Sequence, residues 1–357
     1  MSENIIDNKN IVWIDIAKFI GIFLVVFGHT LSPFGLLKNS TFFAHLWDFI
    51  YLFHMPLFFI IAGYLYKSKT KTDNYKKILY GLLIPYLIYQ IIYLPFKAWH
   101  LLLVKPYLGY KILGIVTGAI LGDASNTPIS IPNCAPCWFI MTIIQLRLIF
   151  NNINLNIKNL FLLNIAAIFI CKFLFINKIN LYFCLDNTLM AIPYFTFGYI
   201  LKSLAKKGLR VVGGGGLIII SYLLLEKILS HNGVIEMSLP NKNIQNQSLF
   251  LSYLGGIIGT YMICIISKFF CYENEFIKTI AKNTLFIIFF HELLLFPLRI
   301  LNTQITNYFP NIILKLIFLI IFTFILLLIS YYTIKILEKF CPIVLGKFQS
   351  KGDLLKC

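Results

Sequence analysis

Charged residues are scarce in this sequence. They make up 13% of its 357 residues, against roughly a quarter in a soluble globular chain. Hydrophobic residues make up 59%, and the mean hydropathy is +0.82. That balance excludes a soluble domain. Metal-site patterns are also lacking. Eight cysteines are scattered along the chain, and only Cys134-Ala-Pro-Cys137 has suggestive spacing. A zinc site would need a second pair or histidines close by, and neither is there. No metal is therefore assigned, and this pair is read either as a local disulfide in an outer loop or as two thiols. The run Gly213-Gly214-Gly215-Gly216 has no Walker lysine after it and no βαβ context, so it is not a phosphate loop. Close helix packing at the entry of a span is the expectation for it. No cleavable signal peptide is apparent, since the first twelve residues are polar and Asp15 and Lys18 interrupt the apolar segment behind them. No soluble domain or internal repeat is visible.

Apolar runs, by contrast, recur along the whole length. Each is long enough to cross roughly 30 Å of hydrocarbon. The expected spans are 11–32, 46–66, 78–97, 136–151, 159–177, 187–203, 210–230, 248–267, 283–301 and 309–334. The fold class is thus an all-α membrane protein, a polytopic bundle of about ten transmembrane helices. Residues 1–10 form a cytoplasmic N-terminal segment, 11–338 the transmembrane domain and 339–357 a cytoplasmic basic tail.

The net charge of +17 raises the question of nucleic acid, and the placement of the charge answers it. With the N-terminus inside, inner segments hold Lys9, Lys67, Lys69, Lys71, Lys76, Lys77, Lys158, Lys202, Lys206, Lys207 and Arg210. They also hold Lys268, Lys278, Lys282, Lys335, Lys339, Lys347, Lys351 and Lys356. About nineteen cations lie inside against about ten outside, the bias of a protein of the cell membrane with both termini in the cytosol. The partner is a lipid bilayer, and no nucleic acid is expected.

Two connections stand out. Segment 98–135 is the longest and carries an apolar stretch at 112–121, too short to span and so re-entrant or interfacial. Segment 231–247 is polar and Asn-rich and reads as an outer loop.

Ionisable groups inside a bilayer are expensive and mark function by default. The first span carries Asp15, Lys18 and His29. Asp15 and Lys18 are three apart and can neutralise each other. Lys18 and His29 are close to three whole turns apart, so they share a face at a separation of about 16 Å. The second span contains His54 beside Pro56, which breaks the helical ladder and frees carbonyls. The fourth begins at Pro136-Cys137-Trp138 and carries Gln145 and Arg147. The ninth carries His291 and Glu292. Neighbours on a helix diverge by about 100°, so these two are expected to have different partners. For Arg147 and Glu292, structural pairing and function are both open.

The stretch Asp15…Lys18…Gly28-His29, followed by Phe53-His54-Met55-Pro56-Leu57-Phe58-Phe59…Gly63-Tyr64, resembles the membrane-bound acyltransferase family 3. Trp138-Phe139, Tyr194-Phe195-Thr196-Phe197-Gly198-Tyr199 and the segment from Asn283 to His291 also match. The chain looks closest to the fucose 4-O-acetylase-like group. Lys18 stands where the family often has arginine, and Ala62 where it has serine. A lysine keeps the charge but loses the bidentate fork.

The resemblance implies acetyl-CoA as acyl donor and a sugar hydroxyl of a surface or cell-wall polysaccharide, or its lipid-linked precursor, as acceptor. The candidate general base is His29, with His54 orienting the acceptor or stabilising an oxyanion. Lys18, Asp15, Trp138 and Arg147 are candidates for holding the donor, and His291 and Glu292 are further candidates. The competing class is a transporter or flippase for a lipid-linked sugar or small solute, with the same charges as a binding or proton relay site.

Overall fold

Backbone amides in hydrocarbon have no water to bond to, so each must find its partner within its own segment or a closed barrel. The computed structural model takes the first route. It describes residues 2–67, 70–104, 109–122, 129, 131–206, 214–235, 247–270, 272, 274–301, 309 and 311–347, with the backbone alone for 2–11, 102–104, 109–110, 206 and 300–301. Among the described residues all regular structure is helical. The elements are α1 (Ser2–Thr30), α2 (Leu36–Asn39), α3 (Thr41–Tyr51), α4 (His54–Leu65), α5 (Lys71–Ile78), α6 (Ile84–Val104), α7 (Gly109–Leu121), α8 (Trp138–Asn152), α9 (Ile157–Ile176), α10 (Leu185–Lys206), α11 (Gly215–Asn232), α12 (Leu249–Phe269), α13 (Glu275–Lys282), α14 (Thr284–Leu301) and α15 (Ile312–Phe340).

A helix occupies each of the ten expected segments. Among the described residues, six are long and apolar enough to cross a membrane: Val12–Thr30, Thr41–Leu65, Lys71–Leu101, Ile157–Ile176, Leu249–Phe269 and Ile312–Phe340. The pair α13 and α14, bent by 88° at Asn283, makes a seventh if it counts as one span. The ten-span expectation therefore rests further on α8, α10 and α11, which are shorter or more polar. Helix α7 is short and apolar, in keeping with a re-entrant or interfacial segment.

Asparagine and serine start several of these helices. Asn156, Asn274 and Asn311 each accept from the backbone N–H three residues on, at 2.7, 2.9 and 2.9 Å, and Ser248 does the same for Leu251. Each such cap satisfies an amide that the first helical turn leaves unpaired.

Helix ends segregate onto two faces. On a lysine-rich face, Lys202 Nζ donates to the Tyr66 carbonyl at 2.6 Å, Asn74 pairs with Asn151, Tyr75 with Asn152, and Lys268 lies over Trp13. On the opposite face His45 meets Glu226, and Asn232 meets Ser248. The outer surfaces of α9, α11 and α15 are largely exposed Ile, Leu and Phe, which suits lipid rather than water.

Small residues set the closest approaches. A methyl on Gly63 would overlap the Phe195 carbonyl, and one on Gly198 would overlap that of Ile60. These reciprocal glycines let α4 and α10 touch backbone to backbone. Both belong to the segments that carry the family resemblance. The expectation for the glycine run is corrected: a side chain on Gly214, Gly215 or Gly216 would meet nothing within 4 Å, so no close packing occurs there. Gly213 lies outside the described residues, as do 236–246 of the outer loop and 348–357 of the basic tail.

Candidate active site

Helices α1 and α14 run side by side in the same direction. Near the lysine-rich face Phe19 lies 5.8 Å from Phe276, just before α14. Towards the other face His29 reaches Glu292. Both helices thus carry their polar groups along one seam.

At the far end of that seam the two helices build a charged centre. His29 Nδ1 lies 3.1 Å from Glu292 Oε1. Arg299 holds the same carboxylate from one side, with guanidinium nitrogens 2.5 Å from Oε2 and 2.9 Å from Oε1. Arg299 follows Glu292 by two turns of α14, which brings both to one face. Such a two-point pairing fixes the carboxylate and keeps it ionised. An ionised carboxylate only accepts, so the proton between it and His29 belongs on Nδ1. The other ring nitrogen, Nε2, then carries the lone pair. Glu292 is fully buried while the His29 side chain is 25% exposed, so His29 is the member a substrate can reach.

His291 corrects the expectation that it and Glu292 need different partners. Its ring lies 4.9 Å from that of His29, edge to face, and its Nε2 is 3.5 Å from Glu292 Oε1. The 100° between neighbours fixes where the two side chains leave the helix, and their end groups still meet beside His29. His291 Nδ1 donates to the Ile287 carbonyl at 2.8 Å, and its fully buried Nε2 has no hydrogen-bond partner. One ligand atom from each of His29, His291 and Glu292 lies within 4.8 Å of the others, a set with the chemistry to hold a metal ion. The Arg299 guanidinium already occupies the carboxylate, however, and competes with a cation there.

His54 sits at the break between α3 and α4. Its Nδ1 donates to the Ile50 carbonyl at 3.0 Å, leaving Nε2 as an acceptor. The Tyr51 ring lies between the two histidines, 4.4 Å from His54 and 6.4 Å from His29. Trp47 stacks on that ring at 3.7 Å. Gly28 makes room for it, because a Cβ there would come within 3.0 Å of Tyr51.

The other candidates fall elsewhere. Lys18 pairs with Asp15 at 3.8 Å, a turn or more from the lysine-rich end, and Asp15 Oδ2 is buried without a partner. Trp138 is buried beside the rings of Phe59 and Phe139. Arg147 lies near Tyr66, with its Nε buried and unpartnered. Cys134 and Cys137 are buried free thiols. Arg299 and Tyr51 were not among the residues expected from sequence. The spacing of seven between Glu292 and Arg299 was the available signal for the first; nothing marked the second.

Fold and site together define an integral membrane protein with a histidine–carboxylate–guanidinium centre inside a helical bundle. The profile of a family of acyltransferase domains matches residues 11–334. The chain belongs to that family, acyltransferase family 3, and is a membrane acyltransferase. No curated protein and no solved structure matches it.

Proposed function

We propose that this acyltransferase moves an acetyl group from acetyl-CoA, bound from the lysine-rich face, to a sugar hydroxyl near the opposite face. The lysine-rich face is the cytosolic one, by the bias of cations towards the inside. The acceptor is a surface or cell-wall polysaccharide or its lipid-linked precursor, as in the fucose 4-O-acetylase-like group that the chain resembles. The observation that carries the reading is the contact of His29 Nδ1 with the Arg299-clamped Glu292. It presents the Nε2 lone pair of a half-buried imidazole and stabilises the imidazolium that proton uptake creates.

In the transfer, the acceptor hydroxyl gives its proton to His29 Nε2 as its oxygen bonds to the thioester carbonyl carbon. The carbon–sulfur bond then breaks, and the departing thiolate takes the proton back from His29. Ester and free CoA thiol result, and His29 returns to its starting state. His54, with Nδ1 committed to a carbonyl, offers only an acceptor nitrogen while neutral. Of its two expected roles, orienting the acceptor hydroxyl fits that better than donating to an oxyanion.

The separation of about 16 Å along α1 between Lys18 and His29 supports a donor that lies along the seam. About thirteen bonds link the sulfur of CoA to its first phosphorus. At three bonds per residue of extended chain that is about 14–16 Å.

Purified protein in detergent, given labelled acetyl-CoA and glycan extracted from a deletion strain, should yield labelled ester without any second compartment. Strict dependence on a sealed vesicle would instead favour the transporter. Mass spectrometry of the deletion strain's glycans should show one O-acetyl group missing, which identifies the acceptor.

A further inference from the structure

The lysine-rich face holds a groove of about 480 Å³ that the site above does not use. Asn274, Glu275, Lys278, Thr279, Lys282, Asn283, Lys335 and Glu338 line it, on α13 and the end of α15. Its acidic groups are already matched. Lys335 lies 2.5 Å from Glu275 and 3.9 Å from Glu338, and Lys347 lies 2.6 Å from Glu338. Neither Lys278 nor Lys282 forms an ion pair with a carboxylate among the described residues, although Lys278 is within electrostatic range of Glu275, and four lysines, Lys347 included, against two carboxylates leave an excess of two positive charges. Asn283, 4% exposed, donates through Nδ2 to the Thr279 carbonyl, and its Oδ1 is buried with no partner among the described residues. A buried acceptor left open is costly unless something donates to it.

The position of the groove matters as much as its charge. Asn283 is the hinge of the 88° bend. It lines the groove and opens the helix that carries Glu292, nine residues or about 14 Å further on. Lys282 is near enough to Lys18 for their charges to interact. The groove therefore sits at the foot of the α1–α14 seam, one extended pantetheine arm from His29.

We propose that this groove receives the nucleotide end of the acyl-CoA donor. Lys278 and Lys282 meet its phosphates, and Asn283 Oδ1 accepts an amide N–H from the arm as it turns into the seam. The inference rests on the reading that CoA is the donor, and it adds where the nucleotide is held. It also explains why α13 lies across the bundle: the bend turns its two lysines towards the entrance rather than along the membrane normal.

The test compares two donors on the full-length protein in nanodiscs: acetyl-CoA, and S-acetylpantetheine, which lacks the nucleotide. The double variant Lys278→Glu/Lys282→Glu should raise the KM for acetyl-CoA about ten- to hundredfold, as expected for lost charge-assisted contacts. Its kcat at saturation, and its kcat/KM with S-acetylpantetheine, should match wild type. Adenosine 3′,5′-bisphosphate should inhibit wild type competitively and the variant weakly. An unchanged KM for acetyl-CoA, or an equal loss with both donors, overturns the proposal. So does a loss seen only in nanodiscs of anionic lipid, which would make the lysines a lipid-headgroup site. Wild-type protein that uses neither donor yet transfers from another acyl donor would instead refute the CoA reading itself.

Discussion

Replacing Glu292 by glutamine probes the centre most directly. The change keeps shape and one hydrogen-bonding oxygen but removes the charge facing His29. The imidazolium of the proposed mechanism then lacks its counter-charge. At 3.1 Å and an effective dielectric constant near 20, that attraction is about 5 kcal/mol. The neighbouring Arg299 reduces the part that favours the transition state. General-base catalysis is worth about 10²–10⁴ in rate, or about 3–5 kcal/mol, so both estimates point to the same fall in kcat. The assay is release of CoA thiol by purified protein with glycan from a deletion strain as acceptor. Removing one partner of a buried pair is itself destabilising, by about 3–5 kcal/mol. Rates must therefore be taken per folded protein, from monodisperse material. The expected outcome is kcat down by about 10²–10⁴ with KM for acetyl-CoA nearly unchanged. A variant that keeps more than about a tenth of the wild-type kcat would refute the dyad, since that loss is worth only about 1.4 kcal/mol.

Other outcomes follow from the same structure. His29→Ala and Lys18→Ala should each abolish acylation at normal membrane abundance, while Lys18→Arg should retain it, because the charge persists; surface O-acetyl content reports both. Gly63→Ala or Gly198→Ala should lower thermal stability by about 1–3 kcal/mol through overpacking. Gly214→Ala, with open space around it, should not lower it. Single cysteines introduced at Glu226 and Lys278 should react with a membrane-impermeant maleimide from opposite sides, Lys278→Cys only after permeabilisation. Labelling of Lys278→Cys in intact cells would reverse the assigned faces.

Much of the scaffold was legible because lipid imposes a local rule. Each span must be apolar and helical on its own, so runs such as 312–340 announce themselves without knowledge of their neighbours. The Asp15–Lys18 pair was legible for the same reason, since three residues of helix fix it. The active centre was not local in this sense. His29 and Glu292 are joined only by tertiary packing, which periodicity does not encode. The 100° rule even argued against His291 and Glu292 sharing a site, because it describes where side chains leave a helix and not where long ones end. The glycine run misled because glycine favours close packing only where a second helix arrives, and none reaches Gly214. Gly63 and Gly198 looked like motif letters and proved to be a matched contact.

The seam between α1 and α14 also has a history in time. Chains are made from the N-terminus, so α1 enters the membrane long before α14 exists. Until then His29 has no carboxylate, and Lys18 has neither Lys282 nor the bend beside it. A nascent or truncated chain would present an ammonium and an imidazole without the carboxylate that orients the imidazole. Glu292 and Arg299, in contrast, reach the bilayer on one helix, already able to neutralise each other. That helix can therefore enter hydrocarbon as a nearly neutral segment and complete the centre on docking. Assembly of the centre is thus tied to the order of synthesis itself, and is complete only when the bundle that shields it from water is nearly whole.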